Sequence, residues 1–173
     1  MIITGGKYKG QKITAPDEKI TRPTLSKVRM AVFNTLQSMI DFKEKNFLDM
    51  YAGSGIMGLE ALSRGFNELT SIEMNKSVYK ILKNNLDKYR LGKNIEIILA
   101  DSIKYTKSTD KIFDVVYIDP PYFSGIYEQS LNSVKNKAKL VILEHVTDVD
   151  FTEYEIIKQK RYGNKIVSFI YPQ

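Results

Sequence analysis

The 173-residue chain contains no cysteine and a single histidine, His145. Without cysteine, the protein cannot form a disulfide, use a thiolate nucleophile or bind an iron–sulfur cluster through cysteine. A zinc site of the usual kind is not expected either, because one histidine leaves too few ligands of the right type. No apolar run approaches the ~20 residues that span a bilayer, and no signal peptide opens the chain. We therefore expect a cytoplasmic protein with no metal and no membrane partner.

The positive charge is concentrated at one end of the chain. The composition is 43% hydrophobic and 27% charged, which is typical of a globular domain, and the net charge is +6. Residues 1–29 hold seven basic and two acidic side chains, so they account for nearly all of this excess. A concentrated basic segment is typical of proteins that bind a polyanion, although lysines can also simply solvate a tail.

The first 45 residues predict an N-terminal extension. Apolar or extended patterns at residues 1–4 and 11–15 flank a glycine-punctuated turn, which indicates a β-hairpin with a basic, aromatic tip. A helix is expected to open at residues 23–24. Its apolar face consists of Leu25, Val28, Val32, Leu36 and Met39, and Arg29 falls off that face. We divide the chain into this extension, residues 1–45, and a core, residues 46–173.

The core has the pattern of an α/β fold. Strands are predicted at residues 47–51, 69–73, 95–100, 113–118, 140–144, 154–161 and 165–171. The first five alternate with connections long enough for helices, which predicts parallel strands with helices on both faces of the sheet. Only three residues join the last two strands, so these two must be antiparallel. The expected fold is Rossmann-like and doubly wound, with seven strands that are mostly parallel and one that is reversed.

A glycine-rich loop follows the first core strand. Gly53, Gly55 and Gly58 have the G-x-G-x-x-G spacing, and Glu73 ends the next strand twenty residues after Gly53. Such glycines let the backbone turn tightly and approach a ligand, while the acid accepts hydrogen bonds from ribose hydroxyls. The pattern predicts a ligand that contains a nucleoside.

Two further acids select among nucleoside ligands. Asp49 lies four residues before Gly53, where its charge would repel a pyrophosphate and attract an amine or a sulfonium. Asp101 ends the third strand, where it could accept from an adenine amine beside Ser102, cap the following helix, or both. S-adenosylmethionine, with S-adenosylhomocysteine as its product, fits this arrangement. A nicotinamide-dependent oxidoreductase is the alternative from a different enzyme class.

An Asp-Pro-Pro-Tyr element, residues 119–122, follows the fourth strand. The prolines push Asp119 out of helical conformations and remove two N–H groups, which leaves nearby carbonyls as unopposed acceptors. A carboxylate, a carbonyl and the aromatic face of Tyr122 complement a planar amino group on a ring. The simpler interpretation is a turn that ends the strand.

These elements together resemble those of class I amino-methyltransferases. The motifs in the N-terminal part of the chain are more specific, and they resemble those of the bacterial 16S ribosomal RNA guanine-966 N2-methyltransferase family. The segments that carry this likeness are Gly-Gly-Lys-Tyr-Lys-Gly at 5–10, Thr-Arg-Pro-Thr at 21–24, Val28-Arg29, Phe33-Asn34 and Gly-Leu-Glu-Ala-Leu-Ser-Arg-Gly at 58–65. Met30 departs from the family, which usually has glutamate after the arginine. The resemblance runs to Tyr122 and more loosely to the end of the chain.

The resemblance implies a methyl transfer to the N2 amine of one guanine in 16S ribosomal RNA, within the small subunit or its assembly intermediate, by a monomer. The implied catalytic residues are Asp119, Pro120, Pro121 and Tyr122. The expected cofactor contacts are Asp49, Tyr51, Ala52, Gly53, Ser54, Gly55, Glu73, Met74, Asp101, Ser102 and Thr24. Phosphates would be held beside the cleft by Lys7, Tyr8, Lys9 and Lys12, with Arg22 and Arg29 extending the track.

Two other amino-methyltransferase classes stay open. A DNA or RNA adenine N6-methyltransferase would share the core motifs but usually adds a sequence-reading domain. A protein glutamine methyltransferase would favour asparagine at position 119 and has less use for a basic hairpin.

Overall fold

The secondary structure alternates between strands and helices, as the core pattern predicts. The computed structural model describes residues 1–17, 25–89, 94–121, 125–146 and 148–172. The helices in these residues are α1 Ser26–Met39, α2 Ile56–Arg64, α3 Lys76–Lys88, α4 Ser102–Ser108 and α5 Ile126–Val134. The strands are β1 Asn46–Asp49, β2 Glu68–Glu73, β3 Asn94–Leu99, β4 Phe113–Ile118, β5 Ala138–His145, β6 Tyr154–Tyr162 and β7 Lys165–Pro172. None of these helices is long and apolar enough to cross a membrane.

All seven strands form one sheet, in the order β3-β2-β1-β4-β5-β7-β6. Strands β1 to β5 are parallel, and β7 is antiparallel to both of its neighbours, β5 and β6. The predicted fold class, including the reversed strand, is therefore confirmed. Strand β6 runs in the same direction as β1 to β5, so the β6–β7 turn lies at the carboxyl end of the sheet.

The sheet buries apolar side chains on both of its faces. Phe47 of β1 packs on one face with Phe33, Phe42 and Phe66, while its neighbour Leu48 belongs to the apolar cluster on the other face. Two-sided burial explains why the central strands read as continuous apolar runs rather than as an alternating pattern.

Helix α1 covers the first of these faces but differs from its predicted pattern. Val28, Val32 and Leu36 are buried as expected, whereas Leu25 is exposed. Arg29 is buried with 2% of its surface exposed, although its position was predicted to lie off the apolar face. Partners distant in sequence explain this difference, because the Arg29 guanidinium donates to the carbonyl of Ile2 at 2.7 Å and pairs with Glu60.

The N-terminal residues form a short hairpin that packs against α2. Ile2 and Lys12 form one antiparallel bridge, and Ile3 and Ile13 belong to the same apolar cluster as Phe47. Gly6 is required where the hairpin meets the helix: it has a φ of +76°, and a Cβ there would lie 2.0 Å from the Ser63 carbonyl oxygen. Ile3 and Ile13 thus join the hairpin to the apolar core on this face of the sheet.

Candidate active site

The carboxyl ends of the central strands bring four acidic side chains to one edge of the sheet. Asp49 ends β1, Glu73 ends β2 and Glu144 lies near the end of β5. Asp49 is in register with Tyr117 of β4, so Asp119 follows at the same edge of the sheet. At this edge the charge of Asp119 acts to raise the pKa of Asp49. The glycine loop and the Asp-Pro-Pro element therefore follow neighbouring strands at the same edge of the sheet.

Glu73 fixes the position of the glycine loop. One of its oxygens accepts from the N–H of Gly53 at 3.1 Å, and the other accepts from the N–H of Asn75 at 2.8 Å. Gly53 and Gly55 have φ values of +53° and +83°, which residues other than glycine rarely adopt. A Cβ on Gly55 would also lie 2.6 Å from Leu82 of α3. The loop therefore turns sharply at these two glycines, with Gly53 half-buried and Gly55 buried.

Asn85 connects this loop to the N-terminal extension. Its amide nitrogen donates to the carbonyl of Ser54 at 2.9 Å and to that of Thr14 at 2.8 Å, while its oxygen accepts from the N–H of Thr14 at 3.0 Å. Sequence reasoning missed this residue. The available signal was a buried-face position, since Asn85 falls between Leu82 and Leu86 on the apolar side of α3.

Asp49 is the most unusual side chain of the site. It is 1% exposed, and neither carboxylate oxygen has a hydrogen-bond partner among the residues that the structure describes. Burial raises the pKa of Asp49 to about 8, and the charges of Asp119 and Glu73 act in the same direction, offset only in part by the nearby N–H groups of Gly58 and Tyr51. A buried carboxyl with only these two backbone N–H groups close by fits a ligand that brings a cationic group to the glycine loop.

Three other predicted cofactor residues have side chains that form hydrogen bonds within the protein. Asp101 caps α4 by accepting from the N–H of Lys104 at 2.9 Å, so the capping interpretation is correct. The Ser102 hydroxyl is buried and donates to the carbonyl of Met50, which leaves it unavailable to a ligand in the cleft. Tyr51 is half-buried, and its hydroxyl lies 2.7 Å from that of Ser130.

Met74 is 68% exposed directly after Glu73. A methionine that is so exposed is not a core residue. Its exposure therefore favours the other expectation, that Met74 packs against the adenine ring of a ligand. Thr24 lies outside the residues that the structure describes.

Asp119 contacts a lysine that sequence reasoning missed. The Lys165 ammonium, at the start of β7, lies 3.1 Å from Asp119 Oδ2 and 2.6 Å from Glu144 Oε2. Glu144 also accepts from the Tyr117 hydroxyl. Burial acts to lower the pKa of Lys165, but the charges of Asp119 and Glu144 outweigh it and raise that pKa above its ordinary value. Pro120 is buried, Pro121 is exposed, and Tyr122 lies outside the described residues.

The proposed phosphate track differs from its expected position. Lys7, Lys9 and Lys12 are exposed, but the hairpin tip docks at the C-terminal end of α2, where the N–H of Lys7 donates to the Ser63 carbonyl at 2.8 Å. The nine residues of α2 separate this point from the glycine loop by roughly 13 Å. The tip therefore does not lie beside the cleft.

The other members of that track are Tyr8, Arg29 and Arg22. Tyr8 packs against Tyr89, with ring centroids 5.8 Å apart. Arg29 is buried and paired with Glu60, so its guanidinium cannot extend the track across the surface, contrary to the expectation. Arg22 lies outside the described residues.

The only histidine in the sequence is packed in the core. His145 is 2% exposed, its Nε2 lies 2.8 Å from the Ser168 hydroxyl, and its ring contacts Tyr127 and Phe151 edge to face. These contacts describe a structural side chain.

Comparisons with known proteins identify a family and named relatives. A family model described as Conserved hypothetical protein 95 matches residues 1–171. A relative from Buchnera aphidicola, named Ribosomal RNA small subunit methyltransferase D, is 35% identical over 136 residues, which cover 78% of this chain and 70% of the relative.

Solved structures share the fold. The protein yhhF from Escherichia coli has a TM-score of 0.87 and 26% identity, covering 100% of this chain and 98% of the other. TrmK from M. capricolum, solved in complex with S-adenosyl-homocysteine, has a TM-score of 0.64 and 16% identity, covering 82% and 68%. The second likeness shows a common fold and no more.

Proposed function

The chain belongs to the family described as Conserved hypothetical protein 95, and from this premise we propose that it transfers a methyl group to the N2 amine of a guanine in 16S ribosomal RNA. The general activity is S-adenosylmethionine-dependent methylation of ribosomal RNA, in keeping with the name of its relatives. Within that activity, we propose guanine N2 as the atom that accepts the methyl group.

One observation carries the proposal: a buried, unpartnered carboxyl lies in the same cleft as an acceptor-rich Asp-Pro-Pro element. Asp49 suits the cationic end of a cofactor, since no described residue satisfies it. Asp119 suits an amino group, because an ionised carboxylate only accepts hydrogen bonds. The two sites are close enough for Asp119 to raise the pKa of Asp49.

The cofactor would be held by residues that the loop and strand ends already position. S-adenosylmethionine supplies an activated methyl group on a sulfonium when it is bound. The glycine loop would lie against it, Glu73 would accept from ribose hydroxyls and Asp101 from the adenine amine. Met74 would pack against the ring, and Asp49 would face the positive charge.

Asp119 and Pro120 would prepare the acceptor amine. The lone pair of a guanine N2 is delocalised into the ring, which makes the nitrogen a poor nucleophile. Hydrogen bonds from its two N–H groups to the Asp119 carboxylate and the Pro120 carbonyl would restore density to nitrogen and aim the lone pair. Positioning of this kind contributes up to ~7–11 kcal/mol in favourable cases.

Tyr122 would stack on the base once it has left its helix or loop. Stacking of this kind contributes roughly 1–3 kcal/mol, which offsets much of the few kcal/mol that extrusion of a base requires. The exposed lysines of the hairpin would contact phosphates, with Lys7 and Lys9 about one helix length from the glycine loop and Lys12 nearer to it, two residues before Thr14.

The substrate is then a structured RNA large enough to reach both regions, in the small subunit or its assembly intermediate. The enzyme would work there as a cytoplasmic monomer.

Labelled methyl transfer to small subunits and to deproteinised 16S RNA, both from cells that lack this activity, tests the proposal. We expect N2-methylguanosine as the labelled nucleoside, from one position, and none with Asp119→Ala. Label in N6-methyladenosine, or label in protein glutamine, would replace the proposal with one of the other amino-methyltransferase classes.

A further inference from the structure

Lys165 connects three strands of the sheet at the candidate active site. It opens β7, and its side chain is 18% exposed. Its ammonium lies between Asp119, which follows β4, and Glu144 of β5, at 3.1 Å and 2.6 Å. Both distances are those of charge-assisted hydrogen bonds.

We propose that Lys165 is a positioning residue, which holds the Asp119 carboxylate where the acceptor amine must meet it. This inference rests on the proposed function, since it assigns Asp119 to the amine. It adds a residue from the reversed strand to a site otherwise built from the parallel strands and their loops.

Asp119 needs such a tether because of its local sequence. It follows the last residue of β4 and precedes two prolines, which have no N–H to donate to its carboxylate. These two prolines therefore give the Asp119 carboxylate no backbone donor, and Lys165 supplies one from another strand. Lys165 has three N–H donors on a flexible stem, so one ammonium can contact two carboxylates together.

Glu144 gives this tether a rigid base. Its side chain is fully buried, with one oxygen bound by Lys165 and the other by the Tyr117 hydroxyl. Tyr117 is itself 1% exposed in the core. The chain of contacts from Tyr117 through Glu144 and Lys165 to Asp119 therefore links the packed interior to the reacting edge.

The charges around Lys165 explain why a cation is needed there. Asp119 and Glu144 contact it directly, and Asp49 and Glu73 lie at the ends of the neighbouring strands. Without the ammonium, Asp119 would lose its charge-assisted hydrogen bond, even in a variant where residue 144 is neutral, and its carboxylate would shift from its present position. A displacement of about 1 Å at a reacting group can reduce a rate by roughly 100-fold.

The decisive variants separate positioning from folding. Lys165→Met keeps the length of the side chain but leaves Glu144 buried without its cation, which could unfold the protein. The double variant Lys165→Met/Glu144→Gln removes both charges and keeps a neutral partner for Tyr117. Lys165→Arg restores the cation. Lys139→Met is the matched control, because Lys139 pairs with Asp114 at 2.8 Å on an exposed surface.

The measurement is single-turnover methyl transfer to small subunits, with product nucleosides identified and with S-adenosylhomocysteine affinity and RNA KM determined for each folded variant. We expect the double variant to lose about 100-fold in rate, with cofactor affinity and RNA KM within about threefold of wild type. Lys165→Arg should recover most of the rate, and Lys139→Met should match wild type.

Two results would overturn the inference. A double variant that folds and methylates at the wild-type rate would make the lysine purely structural. A raised RNA KM at an unchanged rate would make it a phosphate ligand. The proposed function fails in a separate way, namely if the wild-type enzyme itself yields no N2-methylguanosine.

Discussion

Two buried carboxylates on neighbouring elements, Glu60 of α2 and Asp49 of β1, have opposite surroundings. Glu60 is fully buried and accepts from the Thr4 N–H at 2.6 Å and from Arg29 and Arg64 at 3.5 and 3.2 Å. Asp49 is buried to the same degree, and the described residues give its oxygens no hydrogen bond. A buried acid with complete charged partners belongs to the architecture, whereas one without them fits a site for a cationic ligand.

The contrast extends to the regions around them. At the junction between α2 and the hairpin, the opposite charges are paired with one another, since Arg29 and Arg64 both form ion pairs with Glu60. The carboxyl end of the sheet brings together Asp49, Glu73, Asp119 and Glu144, with Lys165 as the cation that contacts two of them. The first region holds the extension in place, and the second is prepared for a positively charged ligand.

Asp119→Ala should give the largest effect on activity. We expect methyl transfer to fall by roughly 10²–10³-fold or more, because the acceptor amine loses its charged partner. S-adenosylhomocysteine should bind with nearly unchanged affinity in a calorimetric titration. An equal loss of both would make Asp119 a cofactor ligand and remove the division of roles within the cleft.

Glu60→Ala should give the largest effect on stability. It leaves Arg29 buried without its carboxylate, so the free energy of unfolding should fall by about 3–5 kcal/mol in urea titrations. The matched control is Glu153→Gln, since Glu153 pairs with Lys135 on the surface, and its loss should change stability by less than about 1 kcal/mol. Similar losses for the two variants would contradict the structural role of the buried network.

Asp49→Asn should remove the pH dependence that the wild-type carboxyl imposes on the stability of the ligand-free protein. The pKa of Asp49 is about 8 in the folded state, against an ordinary value of 3.8 for an aspartate, so the folded state binds the extra proton. Its contribution to stability is therefore complete below pH 4 and is lost as the pH rises to about 8, by up to about 1.4 kcal/mol per unit.

The comparison of the two proteins is made by urea unfolding at pH 5 and pH 8. The stability of Asp49→Asn relative to wild type should be greater at pH 8 than at pH 5. A difference that stays constant between these pH values would mean that Asp49 titrates normally and is already satisfied.

Lys9→Glu should give the smallest effect, on RNA binding alone. If Lys9 contacts one phosphate, the slope of log affinity against log salt concentration should become shallower by about 0.7–0.9. Lys107→Glu is the control with the same charge change, on the exposed surface of α4. Equal slopes for the two variants would exclude the hairpin tip from the RNA path.

The sequence was sufficient for those features that depend on local pattern. Apolar runs located the strands, the short turn before Lys165 required the reversed strand, and the spacing of Gly53, Gly55 and Glu73 located the loop. The cleft followed from topology, because parallel strands place Asp49 and Asp119 at the same edge.

The features that were missed depend on contacts distant in sequence. Arg29 was predicted to lie off the apolar face of α1, although it is four residues after Leu25 and three before Val32, and its buried guanidinium is partnered by Glu60 and the Ile2 carbonyl. Lys165 meets Asp119 only through the pairing of β7 with β5. The positive charge of the hairpin tip led to its predicted position beside the cleft. In the structure the tip packs against the end of α2, where Gly6 lies so close to the Ser63 carbonyl that no side chain would fit.

The central claim, that Asp49 is reserved for a cationic cofactor, is tested most directly by the protons exchanged when S-adenosylmethionine binds. Calorimetric titrations at pH 7, in buffers with different ionisation enthalpies, measure that number for wild type and for Asp49→Asn. We predict that wild type releases about one proton more per cofactor than the variant does, and that the variant binds more weakly. Equal proton exchange and equal affinity for the two proteins would contradict the claim.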